Sequence, residues 1–274
     1  MPIPELKSLD LPGGVITYRE AGEKNKKGPP LVFLHGINIH SGIWGYQFDH
    51  FAKTHHVIAW DAPSYGGSAP RITEANADVG IYAQAFNEFL DGLGLDKVIL
   101  IGHSLGGVMG TRIAGDFPER LAALVLSCTH PGRAEAKGKP LNAKYQKRIE
   151  ERANCDPLDY GRLQATKMTT DDTPKELTED IAAIVAETNP EHFPINARMS
   201  QEADNRPGLA KFTGPVLIIN GSHDRLGPSK GHKVLQATVP HAKLVTFDGL
   251  GHSPYLEDPA AYNAALETFF GTLK

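Results

Sequence analysis

Apolar runs of four to seven residues recur along this chain, most of them without the in-out alternation of a half-exposed sheet. Leu31–Leu34, Val57–Trp60, Val98–Ile101, Leu121–Ser127 and Pro215–Asn220 are rich in Val, Ile and Leu and carry no charge. Strands buried on both faces read this way, so these runs are expected to be the inner strands of a parallel sheet. Val15–Glu20 alternates after the Pro12-Gly13-Gly14 turn, which predicts an early antiparallel strand, and Lys243–Phe247 predicts the last one. Helical periodicity fills the gaps: Trp44–Phe51, Val79–Leu90 ahead of Gly92 and Gly94, Leu105–Phe117, Ser229–Ala237 and Ala260–Phe270. The polar stretches 22–30, 61–70 and 248–259 read as loops. Strands alternating with helices at this spacing place the chain in the α/β class, with a mostly parallel sheet flanked by helices.

Residues 129–214 break that rhythm. They contain charged helical patterns at Ala143–Arg152 and Leu177–Glu187 and little β-branched enrichment. A structureless loop of that length is uncommon inside a compact domain. A helical lid packed over the carboxyl edge of the sheet is expected instead, inserted into a core built from 1–128 and 215–274.

Composition narrows the function. A chain of 274 residues buries a substantial core, and one α/β domain with an insertion is the economical reading. A formal charge of -4 with no basic stripe argues against a nucleic-acid partner. Cys128 and Cys155 form neither a repeated framework nor a metal-ligand spacing, as expected in a reducing compartment. Met1-Pro-Ile-Pro-Glu5 lacks the pattern of a signal peptide, and no apolar run approaches spanning length. A cytoplasmic monomer or small homo-oligomer, without a membrane partner, is the expectation.

The run Val98–Ile101 leads into Gly102-His103-Ser104-Leu105-Gly106 and then a helical pattern. Gly-x-Ser-x-Gly alone is weak evidence in a chain that is a tenth glycine; a capped strand-to-helix turn has the same look. The strand-turn-helix context is what a nucleophile elbow requires, with Ser104 projecting above the sheet. Sites on open parallel sheets lie beyond the carboxyl ends of the strands. Asp224 follows Ile219 there, and His252 follows Phe247. A serine hydroxyl needs a base to become a nucleophile, the base must be near neutral, and a carboxylate must hold its tautomer. Ser104, Asp224 and His252 supply these roles, in the chain order of a hydrolase on such a sheet. Asp248 and Asp258 compete for the acid; Asp248 lies only four residues before His252, and Asp258 suits a helix cap. His103 and His223 read as a packing or orienting residue and a loop residue. Trp44, Trp60, Met109 and Phe117 read as core or pocket wall, and Tyr145, Met168, Phe193 and Met199 of the insertion are candidate pocket lining.

Taken together, His35-Gly36, Asp61-Ala-Pro-Ser-Tyr-Gly-Gly-Ser68, Gly102–Gly107, Gly221–Pro228 and Gly251–Pro259 make the chain resemble the α/β-hydrolase fold family over nearly its whole length. Ser64 stands where many relatives have glycine, which implies an altered loop. Some relatives carry the acid after the preceding strand, but Ser127-Cys-Thr-His130 offers no carboxylate. The resemblance implies an oxyanion hole made by the backbone N–H groups of Ile37 and Leu105, supported by His35 and Gly36, and no metal or organic cofactor. It points to hydrolysis of a small carboxylic ester or lactone, as in small carboxylesterases and enol-lactone hydrolases. Carbon–carbon hydrolases of ring-cleavage products are the alternative; they commonly have Asn before the nucleophile and Trp after the histidine, where this chain has His103 and Ser253. A non-enzymatic ligand-binding protein on the same scaffold is the alternative of another class.

Overall fold

The computed structural model describes residues 3–24, 28–227 and 230–273. Its strands are β1 (Leu6–Leu9), β2 (Ile16–Ala21), β3 (Leu31–Leu34), β4 (Val57–Trp60), β5 (Val98–His103), β6 (Leu121–Ser127), β7 (Val216–Gly221) and β8 (Lys243–Phe247). They form one sheet in the order β1-β2-β4-β3-β5-β6-β7-β8. β2 runs antiparallel to both β1 and β4, and every pairing from β4 across to β8 is parallel.

The absence of alternation in the inner strands has a direct cause: both faces are covered. Val32, Leu34, Val98 and Leu100 point into one core with Phe86 and Phe89 of α2 (Val79–Leu93) and Val108 and Ile113 of α3 (Leu105–Asp116). Leu31, Phe33, Ile99 and Ile101 point into the other, with Phe48 and Phe51 of α1 (Gly45–Phe51) and Leu266 and Phe269 of helix Pro259–Phe270. Each such side chain contributes about 1.5–3 kcal/mol when fully buried. The helix ends follow local chemistry. The Asp78 side chain accepts from Gly80 N–H to start α2, and Gly94 ends it at φ 69°.

Between β6 and β7 lie five helices: α4 (Ala143–Asn154), α5 (Pro157–Met168), α6 (Lys175–Ala186), α7 (His192–Glu202) and α8 (Arg206–Leu209). The sequence pattern revealed α4 and α6 and missed α5 and α7, because their buried faces are not apolar stripes. α5 buries Gly161, Gln164 and Ala165 beside Tyr160 and Met168, and α7 buries Asn196, Ser200 and Gln201. Gly161 lets α5 close on α6, since a Cβ there would stand 2.3 Å from the Ala182 carbonyl oxygen. Polar contacts tie these helices to the core: Asn38 Nδ2 donates to the Tyr160 hydroxyl at 2.9 Å, and the Tyr82 hydroxyl to Asn196 Oδ1 at 2.6 Å.

Two further elements had no sequence signal. β1 is an exposed edge strand held by backbone pairing to β2, and Pro254–Glu257 is a single helical turn inside the expected 248–259 loop. The expected helix from Ser229 is observed as Gly231–Thr238; residues 228–229, like 25–27 of the expected 22–30 loop, lie outside the described residues.

Candidate active site

Ser104 sits between β5 and α3 at φ 52° and ψ −115°, a conformation that side chains rarely adopt. Close packing enforces it. A Cβ on Gly102 would lie 2.6 Å from Gly106 O, and one on Gly106 would lie 2.3 Å from Leu34 O and 2.7 Å from His35 O. Only glycines let α3 pass so near β5 and the end of β3. The turn is then pinned from both sides. Ser104 N–H donates to Ser127 O at 2.9 Å, and Ser104 O accepts from the Thr129 hydroxyl at 2.5 Å.

The ends of β7 and β8 bring Asp224 and His252 together. His252 Nδ1 lies 2.8 Å from Asp224 Oδ2, while Asp224 Oδ1 accepts from Leu226 N–H at 2.9 Å and Gly227 N–H at 2.8 Å. Burial works against the Asp224 charge. The facing His252 and its hydrogen bond, with the two backbone donors, overcome it and bring the carboxyl to about 2. An ionised Asp224 places the His252 proton on Nδ1 and leaves Nε2 as the basic nitrogen. The competing acids are occupied elsewhere: Asp248 Oδ1 accepts from the Ser222 hydroxyl at 2.9 Å, and Asp258 caps the last helix through Ala261 N–H at 2.9 Å. His223 is an exposed loop residue.

Ser104, His252, Ile37 and Leu105 line one cavity of about 760 Å³, its open mouth included. Among the described residues no hydrogen bond joins the Ser104 hydroxyl to His252. Nor does Ile37 N–H donate to a protein acceptor, and Leu105, as the first residue of α3, has no preceding turn to donate to. His35 shapes the Gly36-Ile37 turn from beneath. Its Nδ1–H donates to Gly36 O at 2.8 Å and its Nε2 accepts from Ala62 N–H at 3.0 Å. Burial, opposed in part by Asp61, lowers His35 to about 4, so the ring is neutral at pH 7.

His103 packs against the site and also borders the cavity. Its ring lies 4.8 Å from the His252 ring and 4.8 Å from that of Tyr255. Burial drives it well below the usual histidine range, and the neighbouring His252 pushes the same way.

Cys128, Asp224 and His252 offer possible metal-ligand atoms within 4.8 Å of one another. Their chemistry fits a metal poorly. Asp224 and His252 already engage each other, and burial pushes the Cys128 thiol well up, away from the thiolate a metal takes.

A model of the alpha/beta hydrolase fold matches residues 29–259. The chain belongs to that family. It is similar to 3-oxoadipate enol-lactonase 2 of Acinetobacter baylyi, at 25% identity over 92% of this chain and 91% of that one. It is also similar to the pimeloyl-[acyl-carrier protein] methyl ester esterase of Vibrio parahaemolyticus, at 26% identity over 89% of this chain and 94% of that one. Among solved structures, an esterase from Exiguobacterium antarcticum superposes with a TM-score of 0.85 at 21% identity, covering 97% of this chain and 99% of that one. The enol-lactonase from Burkholderia xenovorans gives 0.82 at 19% identity, covering 97% and 100%. At these identities the two structural likenesses speak for the fold.

Within this hydrolase fold, Ser64 takes φ 77°, so a serine holds the left-handed conformation that glycine favours. Asp61, at the head of that loop, accepts from Ser41 N–H at 2.7 Å and from the Thr17 hydroxyl at 2.6 Å. Of the candidate pocket residues, Tyr145 and Met168 line the cavity, whereas Phe193 and Met199 are buried away from it. Trp44, Trp60 and Met109 are core residues, and Phe117 packs half-buried against the core. Sequence reading missed His130, Arg133, Lys144 and Arg148, which also line the cavity. The charged pattern of α4 looks like a solvated helix face, and nothing local distinguishes a charge facing water from one facing a site. No described helix is long and apolar enough to cross a membrane.

Proposed function

We propose that this protein is a serine hydrolase that cleaves a small carboxylic ester or lactone through an acyl-enzyme on Ser104. The observation that carries the reading is the convergence of three features on one cavity: a serine on a forced elbow, a histidine oriented by a part-buried ionised carboxylate, and two backbone N–H groups free of acceptors among the described residues. His252 Nε2 takes the Ser104 proton as Oγ attacks the carbonyl carbon. The tetrahedral oxyanion is met by Ile37 N–H and Leu105 N–H, each worth about 3–4 kcal/mol in the transition state. His252 then protonates the leaving alcohol, and in the second half it activates water to release the acid. α4–α8 act as a lid that forms the outer wall of the pocket. The curated relatives, an enol-lactonase and a methyl ester esterase, support the same bond class.

A fluorophosphonate probe tests the reading. One covalent adduct is expected on the folded protein and none on Ser104→Ala, together with turnover of p-nitrophenyl esters or a lactone. A folded wild type that takes no adduct overturns the nucleophile assignment. Turnover of a vinylogous ring-cleavage diketone with none of any ester or lactone overturns the substrate class in favour of carbon–carbon hydrolysis.

A further inference from the structure

The charges lining the cavity are one-sided. Arg133, Lys144 and Arg148 border it, and among the described residues no Asp or Glu does, in a chain whose formal charge is -4. Arg133 and Arg148 are half-buried, and each has a buried Nε without a hydrogen-bond partner among the described residues. Neither forms an ion pair there, while three acids of the inserted helices are paired with other cations: Glu151 with Lys167, Glu179 with Arg162 and Glu202 with Arg198.

Both guanidiniums are held by stacking. Arg133 Cζ lies 5.7 Å from the Tyr145 ring centroid and Arg148 Cζ 4.7 Å from that of Phe193, and the two rings meet edge-on at 6.1 Å. Stacking occupies the face of a guanidinium and leaves in-plane N–H groups able to grip a planar oxyacid, even with Arg148 also reaching the Tyr160 hydroxyl. Beneath them the wall is neutral. Burial, and then the Arg133 charge, lower His130 to about 3; its Nδ1 accepts from Gly132 N–H at 3.1 Å, which leaves Nε2 as the donor.

A half-buried cation without a counter-ion is unfavourable in the free protein and becomes favourable when a ligand supplies the charge. We infer that the cavity takes esters or lactones bearing a carboxylate away from the scissile bond, and that Arg133 and Arg148 bind that carboxylate, with Lys144 at the rim. Free carboxylate-bearing half esters are the substrate class, and neutral short-chain esters are the poorer substrates. The inference rests on the hydrolase reading of Ser104, yet its test separates the two.

Binding is measured on Ser104→Ala, which needs no turnover, by calorimetry with monoethyl adipate and with ethyl butyrate. The half ester is expected to bind about tenfold or more tightly, with affinity falling as salt rises. Arg133→Gln and Arg148→Gln should each bring the ratio of the two affinities toward one. In the Ser104-containing protein the ratio of kcat/KM for mono-p-nitrophenyl adipate over p-nitrophenyl hexanoate should collapse in parallel. Arg148 is part of α4, so Arg133→Gln, whose residue lies on the loop before α4, guards against a result due to a distorted helix. Equal or weaker binding of the half ester, or a ratio unmoved by both substitutions, overturns the inference whatever the catalytic result. A phosphate-bearing ester preferred over the carboxylate overturns the assignment to carboxylates. Loss of fluorophosphonate labelling with the binding ratio intact would remove the hydrolase reading and leave the anion site standing.

Discussion

Replacing Asp224 by asparagine isolates the electrostatic part of the site while sparing its shape. The Oδ1 atom accepts from Leu226 and Gly227 N–H at 2.9 and 2.8 Å, and an asparagine carbonyl oxygen keeps both bonds. Its NH2 group is then forced into the place of Oδ2, 2.8 Å from His252 Nδ1. Two N–H groups cannot face each other there, so the imidazole moves its proton to Nε2, the nitrogen that must be free to accept one from Ser104. A wrong tautomer of this kind costs about 10⁴-fold in kcat, or about 5 kcal/mol of transition-state stabilisation. Stability falls as well. A carboxyl at about 2 in the fold against an ordinary 3.8 contributes about 2 kcal/mol, present above 3.8 and lost as pH drops through about 2. Asp224→Asn is therefore expected to lose about that much at pH 7. The assay is kcat/KM on p-nitrophenyl butyrate from pH 5 to 10, beside circular dichroism and urea titration, with Asp248→Asn as control. Among the described residues the Asp248 side chain hydrogen-bonds only the Ser222 hydroxyl, and its variant should stay within about twofold of wild type. The reasoning fails if Asp224→Asn keeps more than about a tenth of wild-type activity, or if Asp248→Asn loses as much.

Gly106→Ala should lower stability by at least about 3 kcal/mol and reduce soluble yield, because its new methyl would stand 2.3 Å from the Leu34 carbonyl oxygen; an unshifted thermal melt would refute the packing account of the elbow. Two buried neutral histidines predict an acid-sensitive fold. His35 falls from 6.5 to about 4 and His130 from 6.5 to about 3, so each contributes stability that is complete above pH 6.5 and declines as pH falls toward its folded value. For His35 the full contribution is about 3 kcal/mol. Urea midpoints should drop between pH 7.5 and 4.5, and less steeply in His35→Gln; a flat profile would contradict neutral burial of these rings.

Much of the core was legible in the chain because its strands are buried on both faces, which writes them as short uncharged runs that no surface element imitates. Ser104, Asp224 and His252 were legible for a similar reason. Each follows a strand at its carboxyl end, and the glycines at 102 and 106 mark where two backbones come too close for a side chain. Other features depend on partners far away in sequence. β1 exists through its pairing with β2, and α5 and α7 bury glycine, glutamine and asparagine against neighbours that no periodic pattern announces. Position along the chain favoured Asp224 over Asp248 and Asp258, but its distance of 2.8 Å from His252 and the hydrogen bonds that occupy the other two are set by the fold. The same holds for Arg133 and Arg148. A charged helix reads as solvated until tertiary packing shows which way it faces, because sequence records the charge of a side chain and the surrounding structure determines what that charge can meet.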